Sequence, residues 1–451
     1  MIGSLAELRA ALDEGRTTSL ALVEAALSRA KAPEGEGARV FTALHEEQAR
    51  AAARASDVLR QAGYRRSPIE GLPVSVKDLF DIKGETTRAG SVALDGAAPA
   101  QQDAPAVQRL VAAGAILIGR TNMTEFAFSG LGLNPHYGTP LNPFDRATGR
   151  IPGGSSSGAA VSVTDGMAAA ALGTDTGGSV RIPAAFCGLT GFKPTARRVS
   201  RQGAVPLSTS LDSVGPIAPT VACCAMLDAI LSGSGADVPA SASLEGLRLA
   251  VPTTLALDAM DATVAAAFKA ALARLSQAGV RISEIAVPEF AALAGINARG
   301  GFTAAEAWHW HRELIEREGD RYDPRVSVRI RRGKELSAAH YIDLLEARAA
   351  WIAAVEARIA PFDALIMPTV PVIAPKLAEL EADDAHFTTT NLLVLRNATL
   401  INFLDGCALS LPCHRRGEAP VGLMLAAAGG QDQRVLAIGQ AVEQALAAAR
   451  T

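Results

Sequence analysis

Residues 152–183 read PGGSSSGAAVSVTDGMAAAALGTDTGGSVRIP and contain two blocks of glycine and serine, separated by an alanine-rich stretch. The first block, Pro152–Gly158, leads into that stretch, whose composition predicts a helix over Ser157–Leu172. Its serines and amides would then lie at a helix N-terminus, which favours anions and developing oxyanions. In the second block two glycines precede Ser179, so the backbone can bend and bring its N–H groups together. A serine beside such amides can attack a carbonyl carbon.

A serine nucleophile needs a base, and none of the seven histidines lies in a recognisable motif. Lys77 is the remaining candidate. It ends the strand-like apolar run Val74–Lys77, where burial would disfavour its charged form. To act as a base near neutrality, its pKa must fall by roughly 3 units, about 4 kcal/mol of differential stabilisation.

Around these blocks, short apolar runs alternate with stretches of helical periodicity. This alternation predicts an α/β fold with a parallel, doubly wound sheet. Strands are predicted at Pro73–Lys77, Ala115–Gly119, Leu247–Pro252 and Ala364–Pro368. Helices are predicted as a pair between Ser4 and Ala30, capped by Ser4 and by Thr17 or Thr18, and at Glu47–Ala62, Asp261–Gly279 and Ala304–Ala360, the last broken near Asp323–Pro324. Small and polar residues predict a linker at Gly233–Ser243.

With these residues in view, the sequence resembles the amidase signature family, whose glycine- and serine-rich block is matched by residues 150–198. Further matching motifs are Gly71–Asp78, Gly119–Phe126, Asn142–Pro143, Gly188–Pro194 and Leu211–Pro216, with thinner matches at Ala364–Pro375, Asn402, Ser410–Pro412 and Pro420–Met424. The resemblance implies an α/β/α sandwich around a mixed, mostly parallel sheet. It also implies one domain over residues 1–451, with N-terminal helices at 1–65, a signature core at 66–220 and a variable helical substrate region at 300–350.

The resemblance also implies roles for individual residues. The catalytic residues would be Lys77, Ser155 and Ser179, with Ser155 following a cis peptide bond after Gly154. Oxyanion or substrate contacts would come from Thr176, Gly177, Gly178, Ser129 and Phe128, and support from Ser156, Asp175 and Arg181. Asp175 and Arg181 would hold the nucleophile loop, with direct substrate contact as the alternative.

The implied reaction is the hydrolysis of a small carboxamide or urea-like amide to a carboxylate and ammonia or an amine, through a seryl acyl-enzyme. No metal or organic cofactor is expected. One alternative is the glutaminase subunit of a glutamyl-tRNA(Gln) or aspartyl-tRNA(Asn) amidotransferase, which the signature block alone does not exclude. Against it, the stretch Phe302–Arg332 looks like that of stand-alone amidases of the indoleacetamide and biuret-hydrolase sort. A binding scaffold without activity is a further alternative, disfavoured by the intact triad.

Composition restricts the partners. The 43 basic and 46 acidic residues are mixed along the chain, without the basic stripe that nucleic acid requires, so a small molecule is the expected partner, and the resemblance implies that it is an amide. No apolar run approaches the roughly 20 residues of a membrane span. Five cysteines, an odd number without metal-type spacing, and an N-terminus unlike a signal peptide predict a cytoplasmic protein. The sequence leaves the oligomeric state open, a homodimer included.

One aromatic cluster, Trp308–His311, falls in the variable region. The two histidines, two positions apart, would face different sides of a helix, which argues against a metal site. Because the family that the sequence resembles varies in this region, we expect this cluster, with Arg329, Arg331 and Arg332, to line the acyl side of the substrate pocket.

Overall fold

One eleven-stranded sheet runs through the part of the chain that the computed structural model describes, residues 3–235 and 238–447. Its strands are β1 (Phe41–Leu44), β2 (Pro73–Lys77), β3 (Ile116–Thr121), β4 (Ala170–Asp175), β5 (Thr190–Lys193), β6 (Ser213–Ala218), β7 (Arg248–Pro252), β8 (Arg281–Ile285), β9 (Ala364–Pro368), β10 (Cys407–Pro412) and β11 (Gly422–Ala427). Their order across the sheet is β1-β3-β2-β4-β6-β5-β10-β11-β9-β7-β8.

The sheet is mixed, as expected, but the prediction that most of its strand pairings are parallel is wrong. Within the described residues four pairings are parallel, namely β2 with β3 and β4, and β7 with β8 and β9. The other six are antiparallel and include every pairing of β5, β6, β10 and β11. The reason is that β10 and β11 form a hairpin and β5 pairs with β6, without a crossover helix between either pair.

Helices cover both faces of this sheet. The described residues form α1 (Leu5–Asp13), α2 (Ser19–Ala30), α3 (Gly37–Val40), α4 (Glu46–Gln61), α5 (Pro105–Ala112), α6 (Ser157–Thr164), α7 (Arg181–Cys187), α8 (Val221–Ser232), α9 (Ala262–Gln277), α10 (Glu289–Ile296), α11 (Gly301–Glu318), α12 (Pro324–Arg331), α13 (Ala338–Ile359), α14 (Leu377–Ala382), α15 (Asp384–Phe403) and α16 (Asp432–Ala447). Successive residues of β4 point to opposite faces of the sheet, so each face meets a different set of helices. Ala170 and Leu172 pack in the hydrophobic cluster that includes α8 and α16, whereas Ala171 packs with α6 and α7. The predicted α/β class is thus confirmed.

The predicted helix over Ser157–Leu172 is wrong in its second half. The helix ends at Thr164, and Ala170–Asp175 is strand β4. Gly166 has a positive φ of 70°, which ends the helix, and the alanines that follow lie in the middle of the sheet, where both faces of a strand are buried. Pairing with neighbouring strands therefore overrides the helix propensity of alanine.

Most other predicted elements are confirmed. Ser4 and Thr18 cap α1 and α2, and the long predicted helix breaks at Asp323 and again at residues 332–337. Of the predicted linker, residues 236–237 lie outside the described residues, and residues 238–243 are neither helix nor strand. All five cysteines are buried and free. Across the described ranges, none of the helices is both long and apolar enough to cross a membrane.

Candidate active site

Lys77 is the last residue of β2, and its side chain is fully buried. Because β2 and β4 are parallel neighbours, their carboxyl ends meet at the same edge of the sheet. Lys77 Nζ donates to the Ser155 hydroxyl at 2.7 Å and to the Thr174 hydroxyl, on β4, at 2.9 Å. It forms no ion pair within 4 Å among the described residues. The arrangement holds an amine between two hydroxyls, out of contact with water.

Burial lowers the pKa of Lys77 from 10.5 to about 7. The carboxylates of Asp175 and Asp212 act in the opposite direction, since negative charge favours the ammonium form, but the loss of hydration is the larger effect. At neutral pH a substantial fraction of this amine is therefore uncharged and able to accept a proton. This satisfies the requirement that the sequence places on a lysine base.

Ser155 lies in the loop that leads into α6. The Gly154–Ser155 peptide bond is cis, as predicted. Thr124 N–H donates to the carbonyl of Ser155 at 3.1 Å, and Ser156 N–H donates to the carbonyl of Ser179 at 3.3 Å. This second contact brings the two serine-bearing loops, far apart in sequence, against each other. The Ser156 hydroxyl also lies 3.4 Å from the Thr174 carbonyl.

Ser179 precedes α7, and only 3% of its surface is exposed. Among the described residues its hydroxyl makes no hydrogen bond, so that it is not joined to Ser155 in this conformation. The N–H groups of Gly177 and Ser179 are likewise not engaged within the described ranges. Gly178 N–H, in contrast, donates to Asp175 at 2.8 Å. Of the amides predicted to stabilise an oxyanion, that of Gly178 is therefore already engaged.

Asp175 holds the nucleophile loop in place. Its carboxylate accepts hydrogen bonds from the backbone of Gly178, Val180 and Arg181, from the Arg181 guanidinium at 2.9 and 3.0 Å, and from the Asn402 amide at 2.9 Å. Both members of the ion pair are fully buried. Although burial opposes ionisation, the Arg181 guanidinium holds the pKa of Asp175 well below its usual range. Asn402, which the sequence matches to the family without a role, completes this network by accepting from Arg181 at 2.6 Å.

A second buried carboxylate, Asp212, lies under the same loop. It accepts from the Thr176 hydroxyl at 2.5 Å and from the backbone N–H groups of Leu207 and Ser208. Burial raises its pKa to about 6. Its motif is recognisable in the sequence, but no pattern in the sequence indicates that its carboxylate fixes Thr176 and influences Lys77.

Ser179 opens onto a cavity of about 720 Å³. Of the predicted substrate-contacting residues, Phe128, Ser129, Thr176 and Gly177 line it. Gly178 does not; its Cα faces Ile182 and Ala398. Most of the remaining wall is apolar and comes from residues 290–304 and 384–403, including Phe290, Leu293, Phe302, Phe387, Leu395, Leu400 and Phe403. Leu207, Leu211, Leu255 and residues 324–332 complete it.

The expectation that the aromatic cluster lines the pocket is wrong, whereas two of the three arginines do line the cavity. Trp308–His311 lies away from the cavity. Trp308 and Trp310 pack partly buried against the core, His309 is exposed, and His311 is fully buried, 2.9 Å from the Tyr322 hydroxyl. Burial lowers the pKa of His311 to about 3. Arg329 and Arg332 do line the cavity, but Arg331 does not. Arg396, which sequence reasoning missed, joins them.

Comparison with known proteins agrees with this geometry. The sequence model of the amidase family matches residues 21–436. The chain is 36% identical, over 98% of its length and 95% of the relative, to 2-amino-5-chloromuconic acid deaminase of Comamonas testosteroni. It is 34% identical, over 96% and 94%, to a glutamyl-tRNA(Gln) amidotransferase subunit of Chloroflexus aggregans. A solved amidase structure superposes with a TM-score of 0.88 at 35% identity, covering 98% of this chain and 100% of that one.

The fold and these likenesses define a hydrolase of amide bonds. More particularly, the chain belongs to the amidase family.

Proposed function

We propose that this enzyme cleaves the C–N bond of a small carboxamide or urea-like amide through an acyl-enzyme on Ser179, with Ser155 as proton relay and Lys77 as base. The observation that carries the proposal is the 2.7 Å contact between Lys77 Nζ and Ser155 Oγ at a fully buried position. An amine with a pKa near 7 can take a proton from a hydroxyl, whereas an exposed lysine cannot.

In the first half of the reaction, uncharged Lys77 accepts the Ser155 proton as Ser155 accepts that of Ser179. Ser179 Oγ bonds to the amide carbon, and the N–H groups of Gly177 and Ser179 stabilise the oxyanion. The C–N bond then breaks, and the leaving nitrogen takes the proton back through Ser155. Because the two hydroxyls are not bonded to each other in this conformation, the Ser179 side chain must first rotate towards Ser155.

In the second half, water attacks the ester carbon of the acyl-enzyme. The same relay removes the proton of the water and returns it to Ser179 as the ester bond breaks. The products are a carboxylate and ammonia or an amine. Asp175 and Arg181 do not enter either step; the proposed role of these two residues is to keep the loop that bears Ser179 in position.

The test is a panel of primary amides, with ammonia release as the assay and labelling of the active serine by a fluorophosphonate. We expect turnover and labelling in the unaltered protein and in Ser276→Ala, an exposed serine on α9. Ser179→Ala should lose both, with a rate at least about 10³-fold lower. Labelling that persists in Ser179→Ala would contradict the assignment of the nucleophile.

Glutaminase activity is the second candidate, and the likeness to the amidotransferase subunit favours it. Glutamine therefore belongs in the panel. Preference for glutamine over the other amides by the purified chain would support this alternative, and no glutamine turnover beside active hydrolysis of other amides would remove it.

We also propose a cytoplasmic location, which the five free buried cysteines support. The absence of a nucleic-acid partner and the division into one domain with a variable region at 300–350 stay predictions from the sequence, which leaves the oligomeric state open, a homodimer included.

A further inference from the structure

The substrate cavity carries an excess of positive charge. Of the residues that the structure describes, four arginines line it, Arg325, Arg329, Arg332 and Arg396, against one carboxylate, that of Asp384. Asp384 pairs with Arg325 at 2.7 Å. Among the described residues, the other three guanidinium groups form no ion pair with any carboxylate. This local excess contrasts with the chain as a whole, whose net charge is −3.

Arg329 is the best positioned of the three. Its Nη1 donates to the carbonyl of Phe128, which also lines the cavity, at 2.7 Å, and its guanidinium lies 5.4 Å from the centroid of the Phe387 ring. These two contacts orient the planar group and leave its remaining N–H donors without an acceptor among the described residues. A guanidinium fixed in this way can bind a carboxylate through two parallel hydrogen bonds.

The uncompensated charge is costly in the empty cavity. Burial, together with the nearby charges of Arg332 and Arg325, lowers the pKa of Arg329, and burial does the same for Arg396; Asp323 and Asp258 oppose these shifts but do not reverse them and form no ion pair with either guanidinium. A partly buried cation without a counter-ion destabilises the folded protein, and a bound anion removes that cost. The wall therefore favours a negatively charged ligand.

The surroundings of these arginines restrict the rest of that ligand. The side chains of Phe290, Phe302 and Phe403 line the same cavity and offer no hydrogen-bonding group. A ligand that fits has an apolar skeleton and an anionic end, and its other end must reach Ser179, which shares the cavity.

We propose that the three unpaired arginines, with Arg329 as the main contact, bind a carboxylate of the substrate, so that the enzyme acts on amide acids. Such a molecule carries the carboxamide to be cleaved at one end of an apolar skeleton and a carboxylate at the other. The proposal rests on the proposed amidase function and names its substrate class. Hydrolysis would then yield a dicarboxylate and ammonia.

The experiment compares monoamides of succinic, adipic and suberic acids with butanamide, hexanamide and octanamide, which have the same chain lengths without the carboxylate. Each is assayed with the unaltered enzyme, with Arg329→Gln and with Arg331→Gln. The last is the matched control, since Arg331 lies on the same helix but outside the cavity.

We expect higher kcat/KM on at least one amide acid than on its neutral counterpart. Arg329→Gln should lower that value by about 10- to 100-fold, the effect of a hydrogen bond to a charged group, and leave the neutral amides within about twofold. Arg331→Gln should change neither. Equal kcat/KM on acids and neutral amides in the unaltered enzyme, or an equal loss on both in Arg329→Gln, would overturn the proposal.

A binding measurement separates this outcome from failure of the proposed function. Calorimetry with Ser179→Ala should show that adipic acid monoamide binds at least about 10-fold more tightly than hexanamide, and that adding Arg329→Gln removes the difference. If no amide is hydrolysed but this difference is found, the carboxylate site stands and the amidase function fails; without the difference, the carboxylate site fails.

Discussion

Replacing Lys77 by methionine should make the folded protein more stable, by an amount that decreases as the pH rises. Methionine keeps most of the volume of the side chain and removes the amine. In the unfolded chain Lys77 has its ordinary pKa of 10.5, and in the folded protein the pKa is about 7 because of burial. Since folding favours the uncharged form, the group destabilises the folded state wherever the unfolded chain binds its proton.

The size of the effect follows from these two values. The cost is fully present below pH 7, decreases as the pH rises from 7 towards 10.5, and vanishes above 10.5. Linkage gives a cost of about 4 kcal/mol at pH 7 and about 2 kcal/mol at pH 9. The stability advantage of Lys77→Met over the unaltered protein should thus fall by about 2 kcal/mol between these two pH values. The hydrogen bonds lost with the amine add only an offset that does not depend on pH.

Guanidinium unfolding at pH 7, 8 and 9, followed by the fluorescence of the three tryptophans, measures this difference. Lys269→Met is the control, because Lys269 is an exposed residue of α9 and should show a difference that does not change with pH. A stability difference for Lys77→Met that stays constant from pH 7 to 9 would refute the reasoning. The amine would then be equally charged in the folded and unfolded states, and Lys77 could not be the base.

Two further predictions concern the loops around the lysine. The kcat/KM of the unaltered enzyme for a neutral amide should rise with pH to a plateau, with a midpoint near pH 7 as Lys77 loses its proton. The Asp212→Asn substitution removes a negative charge that favours the ammonium form of Lys77. It should therefore move this midpoint to lower pH by on the order of one unit. A pH–rate profile with an unchanged midpoint in that variant would count against the coupling. Gly178→Ala should destabilise the protein by about 1–3 kcal/mol, because Gly178 has φ +122° and an added Cβ would lie 2.5 Å from Ile182 Cδ1. In thermal unfolding, Gly246→Ala, at φ +76° with no atom within 4 Å, should cost less; equal losses would show that the crowding at Gly178 has no effect.

Local signals in the sequence predict much of this fold. The Ser4 cap of α1 and the apolar run that ends at Lys77 depend on residues close together in the chain, and both are as expected. The pairing of strands does not depend on neighbours in this way. The antiparallel centre of the sheet joins β4 to β6 and β5 to β10, and no local pattern specifies such contacts. For the same reason the composition at 168–171 predicts a helix, although alanines there contribute to a buried strand.

The residues of the candidate site likewise fall into those that local sequence indicates and those that it does not. Lys77, Ser155 and Ser179 lie in motifs rich in glycine or apolar residues, and these motifs themselves indicate a tight turn or a buried strand. Asn402 and Arg396 lie on a helix more than 200 residues further along the chain, in surroundings without an unusual composition. The expectation for the aromatic cluster on α11 fails because helical periodicity groups residues by face but does not say which face meets the cavity.

The two halves of the cavity come from separate stretches of chain. All the residues proposed to react lie between 77 and 179, whereas the arginines and most of the apolar wall lie between 290 and 403. Substitutions that reshape the cavity wall, which selects the substrate, can therefore accumulate without disturbing the residues proposed to react. New substrate specificities can then evolve while the chemistry stays the same. This independence ends where α15, which forms part of the wall, touches the nucleophile loop: the Asn402 amide contacts the Asp175 carboxylate, and the Ala398 carbonyl accepts from the Arg181 guanidinium.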